Sequence, residues 1–98
     1  MRIISVKSLK DHWERPGRED SEQALKAWYA MAKEASWEHF AQLKQQFGSA
    51  SAVGDRVVFN IGGNKYRLVT YINYEFHTIY VRFVGTHREY DEVDVANV

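Results

Sequence analysis

His87, Arg88 and Tyr90 stand within four positions of one another in FVGTHREYDEVD, Phe83 to Asp94. Lys65 and Arg67 stand two apart further upstream, in VVFNIGGNKYRLV. These residue types suit one chemistry that needs neither a thiol nor a metal ion: cleavage of RNA by its own 2′-hydroxyl. A base takes the hydroxyl proton, a cation steadies the charge growing on the phosphate, and an acid protonates the leaving 5′-oxygen. His87 is the natural proton carrier, because an unperturbed imidazole titrates near neutrality. Arg67 is the natural phosphate clamp, because its planar fork grips phosphate oxygens in pairs. Tyr90 and Lys65 are candidates for the second proton.

Each of these side chains also has a plainer use. His87 can hydrogen-bond a strand end, and Arg67 can pair with an acid such as Asp91. Tyr90 can simply pack, and Lys65 can be solvated at a hairpin rim. Arg82 can hold the acids that follow it. Other chemistries find little support. Gly62-Gly63 lacks the spacing of a phosphate loop. The four histidines have no zinc-like spacing. Ser49 and Ser51 lack the strand–turn–helix setting of a serine nucleophile.

The elements that must position these residues follow from periodicity. Arg2–Ser5 reads as a short strand. Ser5 is placed to cap a helix bearing Val6, Leu9 and Trp13, which Pro16 and Gly17 end. Asp20 with Gln23 resembles a capping box. The helix behind it carries Ala24, Trp28, Met31 and Ala35 on one stripe. A further helix starts near Ser36 with Phe40, Leu43 and Phe47 inward, so that all of the tryptophans, Trp13, Trp28 and Trp37, fall in helical segments. GSASAVGD reads as a loop. From Arg56 the apolar period switches to two.

A two-residue turn at Gly62-Gly63 pairs Asn60 with Lys65, Phe59 with Tyr66 and Val58 with Arg67. A second hairpin centred on Glu75-Phe76 pairs Ile72 with Ile79, Tyr71 with Tyr80 and Val69 with Arg82. This register gives one apolar face of Val57, Phe59, Ile61, Tyr66, Leu68, Ile72, Ile79, Val81 and Phe83, which the helices must cover. The opposite face carries Asn60, Lys65, Arg67, Tyr71, Tyr80 and Arg82. Cations interleaved with tyrosines suit unpaired RNA, where rings stack on bases and cations meet phosphates. A solvated face, or one that docks an acidic protein, is the alternative.

The bulk numbers fit this picture. Ninety-eight residues suggest a single domain over 1–98. The absence of cysteine excludes disulfides and thiolate chemistry. No apolar run approaches the roughly 20 residues of a membrane span, and no signal-peptide core opens the chain, so no membrane partner and a cytoplasmic location are expected. The formal net charge is zero. It conceals a basic stretch, Arg56 to Arg88, followed by Glu89, Asp91, Glu92 and Asp94.

The run VVFNIGGNKYRLV, followed at this distance by RFVGTHREYD, resembles the HigB branch of the RelE-like toxins of bacterial type II toxin–antitoxin systems. MRIIS, AWY at Ala27–Tyr29 and the SAS before the sheet extend the likeness over nearly the whole chain. The resemblance implies an α+β fold, with N-terminal helices packed on one face of a small, mainly antiparallel, twisted sheet. It implies an endoribonuclease that cuts messenger RNA, often on the ribosome, and stops translation. The implied partner is a HigA-like helix-turn-helix antitoxin; no metal or cofactor is implied. The motif positions fall on Asn60, Asn64, Lys65, Arg67, Arg82, His87 and Tyr90. Lys65, Arg67, His87 and Tyr90 are then the expected catalytic set, and Asn60, Asn64, Tyr71, Tyr80, Arg82 and Arg88 the expected RNA contacts. Many RelE-like toxins are strongly basic, and this chain departs from them in being neutral. A non-catalytic RNA-, ribosome- or protein-binding module using the same face is the competing reading.

Overall fold

In the computed structural model, which describes residues 1–98, three helices cover one face of a five-stranded sheet and a short fourth helix sits at its far end. The order along the chain is β1 (Arg2–Ile4), α1 (Lys7–Trp13), α2 (Glu22–Glu34), α3 (Phe40–Gln46), β2 (Ser51–Val53), β3 (Arg56–Ile61), β4 (Tyr66–Asn73), β5 (Thr78–Thr86) and α4 (His87–Glu92). A 3₁₀ turn, Glu19–Ser21, leads into α2, and another, Val95–Asn97, follows α4. The sheet order is β1-β5-β4-β3-β2. Only β1 runs parallel to its neighbour, β5; every other pairing is antiparallel.

The apolar alternation in β3 to β5 dictates the core. Val57, Phe59, Ile61, Leu68, Ile72, Ile79 and Val81 are buried against Leu9, Leu25, Trp28, Ala32 and Leu43. Phe59 is the hub: Trp28 and Phe47 both meet its ring edge-on, with centroids 5.4 and 5.1 Å away. Such pairs contribute about 0.5–1.5 kcal/mol each beyond the area they bury.

The first hairpin differs from the expected register. Its turn spans four residues, Gly62 to Lys65, and Ile61 faces Tyr66. Both glycines take positive φ, 63° and 70°, and Asn64 and Lys65 complete the turn before pairing begins. Phe59 therefore faces Leu68, not Tyr66, and Arg67 faces Asn60. The slip is two residues, and an even slip leaves every side chain on its face.

The second hairpin keeps Ile72 opposite Ile79 and Tyr71 opposite Tyr80. It then bulges. Thr70 faces Val81 but Val69 faces Phe83, so Arg82 is the extra residue and has no partner. Beyond it the two faces of β5 exchange. Phe83 leaves the core face for the outer one, and Val84 and Thr86 come in opposite Leu68 and Tyr66.

The helices depart from expectation in detail. Ser5 does not cap α1; it sits at φ 71°, outside cap geometry, and its carbonyl accepts from the Ser8 N–H. Asp20 and Gln23 form no capping box, because α2 starts at Glu22 and the Asp20 carboxylate is engaged by β4. Leu25, Trp28 and Ala32 form the buried stripe of α2, which leaves Met31 exposed. Trp37 is buried ahead of α3, its Nε1–H donating to Gln46 Oε1 at 3.0 Å. The segment read as a loop contains β2.

Candidate active site

Paired residues on the outer face form three rows across β3, β4 and β5. The first is Arg56–Tyr71–Tyr80, the second Val58–Val69–Phe83, the third Asn60–Arg67–Gly85. The middle row is apolar, which the list of polar residues on this face did not anticipate. The C-terminal segment lies over the rows. At one end Tyr90 of α4 has its ring centroid 6.0 Å from the Arg67 guanidinium carbon. At the other, Arg56 donates twice to the Val98 carbonyl, at 3.1 and 2.7 Å. Between these anchors Val58 and Val69 are buried.

Arg67 is only 9% exposed. It is covered by Tyr90 and not by α1–α3. Its Nη1 donates to the carbonyls of Asn64 and Tyr66, at 3.1 and 3.2 Å, and its Nη2 to Asn64 Oδ1 at 2.6 Å. Asn64 thus holds Arg67 from the hairpin turn. A guanidinium has five N–H donors, so these contacts leave about two for another ligand.

His87 opens α4. Its backbone N–H donates to the Lys65 carbonyl at 3.1 Å, which ties the helix head to the first hairpin. Its side chain is 49% exposed, with Nδ1 3.2 Å from Asp91 Oδ2. A carboxylate at Nδ1 fixes the tautomer with Nε2 free to exchange a proton. Thr86 caps the helix reciprocally: its Oγ1 accepts from the Glu89 N–H at 3.1 Å, and its own N–H donates to Glu89 Oε1 at 2.9 Å. The motif THREYD therefore encodes a capped turn that lays Tyr90 over Arg67 and ties the His87 backbone to the first hairpin.

Lys65 is not with them. It lies in the turn and not in a strand, and its ammonium pairs with Asp20 and sits 5.6 Å from the Tyr66 ring centroid. The hydrogen bond from Lys65, then that from Tyr66, holds the Asp20 carboxyl below its ordinary range. The Asp20 hydrogen bond in turn raises Lys65. Burial, then Asp20, raises Tyr66.

The RNA candidates separate into two groups. Tyr71 and Tyr80 stand side by side, centroids 6.0 Å apart, with Arg56 5.5 Å over one ring and Arg82 5.5 Å over the other. Arg82 does not reach the acidic tail, because the bulge leaves it exposed beside Tyr80. Arg88 is exposed on α4, whereas Asn60 and Asn64 lie at the hairpin end with Arg67. Arg67, His87 and Tyr90 line none of the surface depressions of the protein. The site is a ledge formed by the head of α4, with His87 exposed, Tyr90 partly so and Arg67 nearly covered.

Residues 21–93 match the family described as HigB toxin, the RelE-like toxic component of a toxin–antitoxin system. The chain is also 32% identical over 92 residues to the mRNA interferase toxin HigB of Escherichia coli K12, covering 93% of this chain and 88% of that protein. The same identity and coverage hold for mRNA interferase HigB of Escherichia coli O157:H7 and of Shigella flexneri.

The chain belongs to the HigB toxin family.

Membership accounts for the α+β architecture of this HigB-family chain and makes an antitoxin its partner. No helix in it is long and apolar enough to cross a membrane.

Sequence reasoning missed a polar network behind α4. The Glu89 carboxylate receives both Nη atoms of Arg18, at 2.9 and 3.1 Å, and lies 3.8 Å from Arg15 Nη2. The Arg18 hydrogen bond, then that from the Thr86 N–H, lowers the Glu89 pKa to about 2. His12 is 3% exposed, with Nδ1 3.0 Å from Ser21 Oγ and Nε2 3.3 Å from Arg18 Nη1. Arg18 can only donate, so Nε2 accepts and Nδ1–H donates to Ser21. The Ser21 hydroxyl in turn donates to the Arg18 carbonyl at 2.7 Å. Burial, then the charges of Arg18 and Arg15, lowers the His12 pKa. The available signal was Glu89, three residues after Thr86, an overlooked capping box.

Proposed function

We propose that this toxin is an endoribonuclease that cuts messenger RNA and thereby stops translation, acting on ribosome-bound message. The observation that carries the reading is that Tyr90 lies over Arg67 while the backbone of His87 ties the same short helix to the hairpin end that carries Arg67. The likeness to the mRNA interferases of Escherichia coli and Shigella flexneri supports it.

In this reading His87, oriented by Asp91, exchanges a proton through Nε2. The two free N–H groups of Arg67 face the phosphate oxygens, Tyr90 swinging aside or stacking on the flanking base. The 2′-oxygen bonds to phosphorus as the bond to the 5′-oxygen breaks. The 2′-proton passes to the base, and the acid returns one to the 5′-oxygen. The products are a 2′,3′-cyclic phosphate and a 5′-hydroxyl. Tyr90 is the second proton carrier, because Lys65 is held on Asp20 away from this ledge. The Tyr71–Tyr80 pair, with Arg56 and Arg82, forms a stacking platform for nucleotides distant from the cut. Tyr71 is four residues along β4 from Arg67, roughly 13 Å. The antitoxin is a HigA-like helix-turn-helix protein.

Expression without antitoxin should arrest growth and leave cyclic phosphate ends on message, EDTA giving no protection. Intact message during arrest rejects the enzyme. The burial of Arg67 favours a second reading, a non-catalytic RNA-binding ledge in which Arg67 only braces the hairpin. That reading requires salt-sensitive binding with uncut RNA.

A further inference from the structure

The two motif segments that build the ledge are held from behind by one short stretch of chain. Asp20 takes Lys65 and Tyr66 at the start of β4. Arg18, two residues earlier, takes Glu89 in α4 through a two-point contact. The stretch itself is rigid. Arg18 is braced by His12 Nε2, the Ser21 hydroxyl returns to the Arg18 carbonyl, and Ser21 and His12 are both buried. Glu89 closes the circuit, because the carboxylate that meets Arg18 also accepts the Thr86 N–H. His12, Arg15, Arg18 and Asp20 all precede residue 21, where the family match begins.

We infer that the Arg18–Ser21 segment is a positioning clamp for the ribonuclease site, setting the distance between the β3–β4 hairpin that carries Arg67 and the α4 helix that carries His87 and Tyr90. Arg18 and Asp20 touch no residue of the proposed catalytic set on its working side. They act through Glu89 and Tyr66. The inference rests on the ribonuclease reading for its consequence but not for its geometry.

A bidentate guanidinium–carboxylate pair fixes orientation as well as distance. Loss of it loosens the α4 head, which keeps only its Thr86 cap, the His87 N–H to the Lys65 carbonyl and the Tyr90 contact with Arg67. Displacement of a reacting group by about 1 Å can cost on the order of 100-fold in rate. The effect belongs on turnover and not on RNA affinity, since the platform residues Tyr71, Tyr80 and Arg82 stay where they are.

The test compares the full-length wild-type chain with Arg18→Ala, Glu89→Gln, Arg18→Lys and the Arg18→Ala/Glu89→Gln double variant. Three quantities are read: cleavage of a reporter message in a cell-free translation extract, anisotropy of a labelled single-stranded RNA oligonucleotide, and the His87 imidazole resonances. The clamp predicts cleavage lower by roughly 10- to 100-fold in Arg18→Ala, an RNA Kd within about twofold of wild type, and a shifted His87 resonance. Arg18→Lys recovers part of the rate, and the double variant is no slower than the slower single, as for residues acting as a unit. Unchanged cleavage in folded Arg18→Ala overturns the inference. So does a Kd that weakens in step with the rate, or multiplied effects in the double variant. If Arg18→Ala does not fold, Glu89→Gln, which retains an oxygen for the Thr86 N–H, carries the same comparison. If wild type leaves message intact, the ribonuclease reading falls, and an unmoved His87 resonance in Arg18→Ala then overturns the clamp as well.

Discussion

His87 carries the most chemistry per atom and the least structural duty. Its ring is half exposed, with Asp91 at its Nδ1. His87→Ala should therefore leave the melting temperature nearly unchanged, since surface substitutions stay within about 0.5 kcal/mol. Message cleavage should fall by about 10²- to 10⁴-fold, the usual contribution of a positioned acid or base. Asp91→Asn should cost about 10- to 100-fold by loosening the ring, as carboxylate partners of histidine do elsewhere. Cleavage assays with melting curves alongside check both. Arg67 is the reverse case. It is buried, it braces Asn64, and Arg67→Ala would remove the proposed phosphate ligand and a structural tie at once. Arg67→Lys is the informative variant: it keeps the charge and loses the fork, so activity should fall further than stability.

At the scale of elements, what the sequence made legible was parity. Strands β3 to β5, their alternation and their polar and apolar faces could be read because the side-chain period is two. The error in the first hairpin, a turn of four residues read as two, was even and left Arg67 on the correct face. The Arg82 bulge could not be read the same way. An extra residue leaves no compositional mark, and Phe83 is as plausible inside as outside. Lys65 was misplaced because its partner, Asp20, is 45 residues away and looked like a helix cap. Long-range ion pairs have no local signature. Gly85 tests the same region. A Cβ there would meet the Phe83 ring at 2.6 Å and Glu89 Oε1 at 2.8 Å. Both neighbours are committed, the carboxylate to Arg18 and Thr86. Gly85→Ala should destabilise by about 1–3 kcal/mol, measurable by urea titration. Thr86→Ala, which removes half of the capping box, should cost about 1 kcal/mol.

Over the whole molecule, the zero net charge is less important than which cations remain free. Lys65 is spent on Asp20, Arg18 on Glu89 and Arg56 on Asp55. Exposed Arg82 and Arg88 form no ion pair. In the ribonuclease reading these two and Arg67 make three phosphate contacts on a single strand, a slope of log K against log salt of about −2.1, shallow for an RNA-binding protein, and anisotropy at several salt concentrations measures it. Stability should depend on acid in two stages. His12 sits among Arg15, Arg18, Glu89 and Asp20, with its pKa lowered from 6.5. Below about pH 6.5 the unfolded chain takes up that proton first, so stability falls until the lowered folded value is passed. Glu89 contributes stability that is complete above its ordinary 4.5 and is lost as pH falls towards about 2. Melting temperatures from pH 8 to pH 3 should show both declines, and His12→Asn should remove the upper one.

The unpaired Arg82 has an implication for chain length. The residues before and after it are half a period out of phase, and β4 has no matching extra residue. Excising position 82 would heal the ladder and leave the rest of β5 unrotated, because inward Val81 would then be followed directly by outward Phe83 and inward Val84. Thr86 would stay opposite Tyr66, and α4 would leave the sheet on its present side. A one-codon deletion at that point should therefore be tolerated, with α4 still in place and the melting temperature near that of the wild type, whereas one residue inserted beside Arg82 should not.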